Sequence, residues 1–189
     1  MKLNLGCGTK PLAGWENLDL KCNLGVKYCD LRKPLPYPNN STDFIYHEHF
    51  LEHLDEVDGF HLLQECYRVL KPDGWMRCVT PDLKKYVASY LNWNQAEYKF
   101  DNFTDGCNFL NYAILGEAVT GIKYLSPVKN SVNVGHLYLY DFQDLSNKLS
   151  RIGFTNLRES LHGWSCLPEF DKKETRMPSR EIVLEAMKP

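Results

Sequence analysis

The sequence predicts an α/β fold built on a mostly parallel sheet, and three observations predict it. The apolar run Leu3-Asn4-Leu5 enters Gly6-Cys7-Gly8 directly, which reads as a buried strand ended by a sharp turn. Two later short runs end in an acid, Asp19 and Asp30. From residue 43 to residue 80 the order is strand, amphipathic helix, strand, the pattern of a parallel sheet with right-handed crossovers.

Each element has its own signal. Glycine at the first turn allows a ligand close approach to the backbone, and such turns lie where open α/β sheets place ligands. Trp15–Leu20 reads as a second strand ending in Asp19, a carboxylate able to accept two hydroxyl hydrogen bonds from a ribose diol. Val26–Leu31 repeats the arrangement with Asp30. Residues 32–40 hold three prolines and two asparagines and form a loop. Asp43–Tyr46 is a fourth short strand, followed by His47-Glu48-His49-Phe50-Leu51-Glu52-His53 with three of the six histidines. Val57, Phe60, Leu63, Tyr67 and Leu70 form one expected helical stripe, stopped by Lys71-Pro72-Asp73-Gly74. Trp75–Thr80 is a fifth strand, closed by Pro81-Asp82-Leu83.

Residues 84–135 read as an aromatic-rich insertion, with helices expected near 83–91 and 105–119. Its aromatics, among them Tyr86, Trp93, Tyr98, Phe100, Phe103, Phe109, Tyr112 and Tyr124, can stack on a substrate or simply pack. Asp141 is an N-cap for a helix with Phe142, Leu145, Leu149 and Ile152 buried and Gly153 at its end. Residues 154–160 and 182–187 read as two last strands, forming an antiparallel edge around the loop 161–180.

The 189 residues fit one domain, 1–189. A net charge of −2 gives no electrostatic case for nucleic acid. No apolar run approaches the roughly 18 residues of a membrane span, and Met1-Lys2-Leu3 enters the first strand without the features of a signal peptide. Seven cysteines, with no Cys-x-x-Cys pair, indicate neither a disulfide framework nor a zinc ribbon, so a reduced, cytoplasmic protein is expected.

As an ordered set, these motifs resemble class I S-adenosylmethionine-dependent methyltransferases of the small methyltransferase-domain branch, type 11-like. The residues that carry the likeness are Leu3–Gly8, Gly14–Asp19, Asp30-Leu31 with Pro34–Tyr37, Asp43–Tyr46, His49–His53, Arg68–Gly74, Pro81–Leu83, and His136 with Tyr140-Asp141. The resemblance implies a Rossmann-like, mostly parallel seven-stranded sheet with the last strand antiparallel and helices on both faces. It implies S-adenosylmethionine as cofactor and S-adenosylhomocysteine as product. By the same likeness, Gly6 and Gly8 admit the methionine part, with Asn4 and Cys7 beside them. Asp19 takes the ribose, Asp30 and the Leu31 amide address adenine, and His47 and Glu48 line the other side.

Two departures stand out. Only ten residues separate Gly8 from Asp19, where a parallel crossover normally takes a dozen or more, so the usual helix there is one turn or absent. No helix precedes the first strand either, which leaves cover of the pocket to residues 84–135 as a lid.

A hydroxyl or amine acceptor must lose a proton, and a histidine suits that task. The candidates are His49, His136 and His53, with Asp82 to orient one of them or to hold a substrate hydroxyl. The acceptor class suggested by the resemblance is a small molecule, a sugar or polysaccharide precursor. Three other readings compete. His49-x-x-Glu52-His53 matches an inverted zinc-protease motif. A nicotinamide enzyme would need a third glycine where Pro11 stands and a later acid. A non-catalytic cofactor-binding subunit would keep the glycines and Asp19 without turnover.

Overall fold

The computed structural model describes residues 1–95, 105–115, 135–175 and 180–189. Seven strands form one sheet in the order β3-β2-β1-β4-β5-β7-β6. They are β1 (Lys2–Leu5), β2 (Glu16–Asp19), β3 (Val26–Tyr28), β4 (Thr42–Glu48), β5 (Leu70–Pro81), β6 (Thr155–Glu159) and β7 (Glu181–Met187). The first five are parallel. β7 runs antiparallel between β5 and β6, as expected for the last strand.

The helices are α1 (Glu56–Val69), α2 (Leu83–Leu91), α3 (Gly106–Leu115) and α4 (Phe142–Ile152). Expected residues 116–119 of the third helix, and Tyr98, Phe100, Phe103 and Tyr124, lie outside the described residues. Within the expected lid, Phe109 of α3 lies 5.5 Å from Tyr86 and 5.4 Å from Trp93, ring centre to ring centre. Those three aromatics therefore pack on one another.

The main core lies between one sheet face and two helices. Leu3, Leu5, Leu18 and Ile45 meet Leu62, Leu63, Cys66 and Val69 of α1 and Leu145 and Leu149 of α4. α4 is as its sequence predicts: Asp141 accepts the Asp144 amide at 2.8 Å, and Gly153 ends the helix at φ 117°. α1 is rotated from its expected stripe. Its buried apolar line is Leu62, Leu63, Cys66 and Val69, and Val57 is exposed. Gly59 starts this line and conceals it in the sequence. A Cβ there would stand 2.5 Å from the Tyr140 hydroxyl, so the closest contact requires the residue with no side chain.

The opposite face carries a second cluster of Trp15, Tyr46, Val79, Phe170 and Val183. Among the described residues no helix contributes to it. Loop residues 12–15 and 167–170 supply the cover, with irregular chain replacing a helix between β1 and β2, while α1 and α4 pack on the other face.

Two asparagines make that replacement possible. Asn4 and Asn17 are register partners on β1 and β2. Asn17 Oδ1 accepts from Asn4 Nδ2 at 2.8 Å and from the Leu12 amide at 2.7 Å. Its Nδ2 donates to the Leu12 and Trp15 carbonyls at 3.1 Å each. A buried loop must pair its backbone groups; one carboxamide does so here, and the chain crosses from β1 to β2 with no helix.

Candidate functional site

The glycine turn sits at the end of β1. Gly6 and Gly8 have φ of 64° and 54°, the left-handed region that disfavours a side chain. A Cβ on Gly6 would fall 2.2 Å from the Phe50 ring, whereas one on Gly8 would meet nothing within 4 Å. Gly6 thus seats Phe50 and Gly8 borders open space. Cys7 lies between them, nearly buried; burial and then the Asp19 charge push its thiol up to about 11.

Asp19 reaches across to this turn. Its Oδ2 accepts the Gly8 amide at 2.8 Å and its Oδ1 the Lys21 amide at 2.9 Å. The Asp19 carbonyl accepts the Cys29 amide at 2.9 Å, which sets Asp30 beside it. The ends of β1, β2 and β3 therefore form one continuous crest. Asp30 is held in a fork by Arg32, at 2.8 and 2.9 Å. That bonding, against a burial cost, keeps its carboxyl below the usual range. Leu31 is buried in the main core, so only its backbone is in question for a ligand.

Two expected ligand residues sit differently. The Asn4 carboxamide is occupied by Asn17 and belongs to the loop scaffold. His47 is fully buried on the core side of β4, and neither ring nitrogen has a hydrogen-bond partner. Burial, opposed only by the nearby Glu52 charge, lowers its pKa to about 4. Below about pH 6.5 the unfolded chain takes a proton here that the folded chain refuses until about pH 4. Stability falls as pH drops through that window, by on the order of 3 kcal/mol from this group. Urea unfolding at pH 7 and pH 4.5 will show a smaller loss for His47→Leu than for wild type.

Glu48, at the end of β4, accepts the Thr175 amide at 3.0 Å and the Thr175 hydroxyl at 2.7 Å. It ties β4 to the loop before β7.

Beyond β4 the chain turns at His49, with φ 49°. Its Nδ1 lies 3.3 Å from Glu52 Oε1 and its Nε2 lies 3.2 Å from Glu181 Oε2. Glu181 also holds His162, through Oε1 and Nδ1. Glu52 is fully buried and accepts the Thr80 hydroxyl at 3.0 Å. Burial opposes its charge, but the His49 bond and the His49 and His53 charges outweigh that and bring its pKa to about 2.

His53 and His136 face each other, with ring centres 5.2 Å apart, and His53 Nδ1 lies 3.4 Å from the Gly135 carbonyl. Glu52, His53 and His136 each bring one donor atom within 4.8 Å of the others. This is not the set the zinc-protease motif requires. Residues Leu51–His53 form a short 3-10 turn, and His49 lies outside it, turned to Glu181. Asp82 caps α2, accepting the Lys84 amide at 2.9 Å; its other oxygen is 3.4 Å from the Lys85 ammonium.

A cleft of about 550 Å³ opens beside this group, lined by Lys85, Glu159, His162, Trp164, Arg180 and Glu181 among others. The sequence reading missed His162, Trp164 and Glu181. They lie in or beside the loop 161–180 with no motif spacing. Only the insertion of β7 beside β5, with Glu181 opposite Pro81, brings them to the edge where β4 ends.

Residues 11–78 match the family model described as a methyltransferase domain. A search of curated proteins finds no match. Solved structures of S-adenosylmethionine-dependent methyltransferases resemble the whole chain. One from Thermotoga maritima has TM-score 0.59 at 14% identity, covering 100% of this chain and 82% of that one. One from Archaeoglobus fulgidus has 0.56 at 16%, covering 99% and 85%. One from Methanosarcina mazei has 0.55 at 16%, covering 99% and 91%. This is the fold of the S-adenosylmethionine-dependent methyltransferases. No helix among the described residues is long and apolar enough to cross a membrane.

Proposed function

We propose that the chain moves a methyl group from S-adenosylmethionine to a hydroxyl or amine of a small molecule, with a sugar or polysaccharide precursor as the acceptor class. The observation that carries the reading is the 2.8 Å bond from the Gly8 amide to Asp19 Oδ2. It joins the glycine turn and the acid at one edge of the sheet. The residues fit the cofactor. Gly8 borders open space, and each Asp19 oxygen accepts one backbone amide, leaving lone pairs for a diol. Asp30 and the Leu31 backbone continue the crest toward the adenine end. The bound cofactor supplies a methyl group activated on a sulfonium; the protein supplies position and electrostatics.

Calorimetry with S-adenosylmethionine and S-adenosylhomocysteine tests this. Both should bind and raise the melting temperature by mass action. Asp19→Ala removes a charge-assisted anchor of about 3 kcal/mol and should weaken binding about 100-fold. If neither ligand stabilises the wild type while zinc does, the Glu52, His53 and His136 group becomes the better guide and this reading fails.

A further inference from the structure

We propose that the acceptor binds in the cleft between α2, the chain after β6 and the start of β7, and that His162 is the base that takes its proton, with Glu181 as its positioning residue. The inference rests on the methyltransferase reading above and names the part of the site that reading leaves open.

Position is the first argument. The sheet order places β4 between β1 and β5, with β7 next to β5. Phe50 packs over Gly6 at the cofactor crest. His49, its chain neighbour, contacts Glu181, which lines the cleft. One peptide unit thus touches both regions. Donor methyl and acceptor atom must come within about 3–3.5 Å, and this edge is where crest and cleft adjoin.

Chemistry is the second. A carboxylate can only accept, so His162 Nδ1, bonded to Glu181 Oε1, carries the hydrogen. In the neutral imidazole Nε2 then keeps its lone pair. His49 has a carboxylate oxygen beside each ring nitrogen, so both of its nitrogens face carboxylates of the protein, and it orients Glu181. The imidazole and carboxylate form the orienting pair that general-base histidines use. The acceptor's O–H or N–H proton passes to Nε2. Its bonding electrons stay on the heteroatom as that atom bonds to the methyl carbon and the carbon–sulfur pair leaves with sulfur. The imidazolium formed is stabilised by Glu181 and later releases its proton to water.

The cleft also defines a substrate class. Trp164 is 56% exposed and lines the cleft together with the carboxylates Glu159 and Glu181 and the cations Lys85 and Arg180. An exposed ring among hydrogen-bonding groups suits a small cyclic molecule with a flat face and a protic substituent.

The test uses the full chain saturated with S-adenosylhomocysteine, and catechol and methyl β-D-glucopyranoside as probes. Nitrogen NMR of the imidazoles should report the Nδ1–H tautomer for His162 in wild type and its loss in Glu181→Ala, with Glu181→Gln, which keeps an acceptor oxygen, holding it. At least one probe should shift the His162 and Trp164 ring signals, and Trp164→Ala should weaken that probe tenfold or more. With labelled S-adenosylmethionine, wild type should methylate the bound probe and His162→Gln should do so about 10²–10⁴ times more slowly. S-adenosylhomocysteine affinity should stay within twofold in Trp164→Ala and His162→Gln. An Nε2–H tautomer in wild type, neither probe reaching the cleft, a bound probe left unmethylated, or equal rates for His162→Gln would overturn the proposal. Failure of wild type to bind S-adenosylhomocysteine would instead sink the methyltransferase reading itself.

Discussion

Replacing Arg77 with alanine will cost about 3–5 kcal/mol of stability and lower the melting temperature by roughly 6–20 °C. Arg77 projects from β5 and is fully buried. It donates to Glu174 Oε1 from Nε at 2.7 Å and to the Leu161 carbonyl at 3.0 Å, and it also pairs with Glu185. Without it two buried carboxylates lose their main cation. Glu185 keeps Arg158 Nε at 2.7 Å and the Ser165 hydroxyl at 2.6 Å. Glu174 keeps the Gly163 amide at 3.1 Å and loses its guanidinium, so it bears the larger penalty. Arg77→Met combined with Glu174→Gln should therefore recover much of the loss, a coupling that a double-mutant cycle in urea measures. The same cluster holds residues 161–174, which include His162 and Trp164. Probe binding in the cleft should weaken in Arg77→Ala before cofactor binding does. A loss below about 1 kcal/mol, or the cleft weakening no earlier than the crest, would show that this cluster does not anchor the loop.

What could be read from the chain follows the range of the forces involved. Elements fixed by local chemistry were legible. α4 has its acid cap, its stripe and its terminal glycine within thirteen residues. α2 begins after Asp82 and ends at Leu91. The crest was legible because each of its parts ends its own short strand. The α1 stripe was misread because its buried line begins with a glycine against Tyr140, and an apolar pattern does not register a residue with no side chain. The bare crossover from β1 to β2 was legible as a short count of residues, but its solution was not. Asn4 and Asn17 are thirteen positions apart and meet only once the two strands pair. His47 was placed by resemblance at the pocket wall, yet strand alternation sets it on the core face of Ile45. The cleft residues were the least visible. His162 and Glu181 come to the end of β4 through the antiparallel insertion of β7, a long-range event with no local signature.

Alanine at Gly6 and at Gly8 will separate the two duties of the glycine turn, with Gly6→Ala giving the larger total effect. Both positions have positive φ, which costs an L-residue about 1–2 kcal/mol. At Gly6 the new Cβ would also stand 2.2 Å from the Phe50 ring. Phe50 must move, adding an overpacking cost of about 1–3 kcal/mol, so Gly6→Ala should lose about 2–5 kcal/mol in urea unfolding and bind S-adenosylhomocysteine poorly. At Gly8 the Cβ would meet no protein atom within 4 Å. The stability cost there stays at the strain alone. The new methyl group instead fills the space proposed above for the methionine part of the cofactor, so affinity should fall at least about tenfold. Melting scans and calorimetry on the same two preparations make the comparison. If Gly8→Ala binds S-adenosylhomocysteine as tightly as wild type, the open space beside Gly8 is not where the methionine part lies, and the crest loses its claim as the cofactor cradle. If Gly8→Ala loses affinity at nearly full stability while Gly6→Ala loses both, then Phe50 is the brace of the turn and Gly8 its point of contact. That brace lies beside His49, so a shift of Phe50 in Gly6→Ala should also disturb the Glu181 and His162 pair.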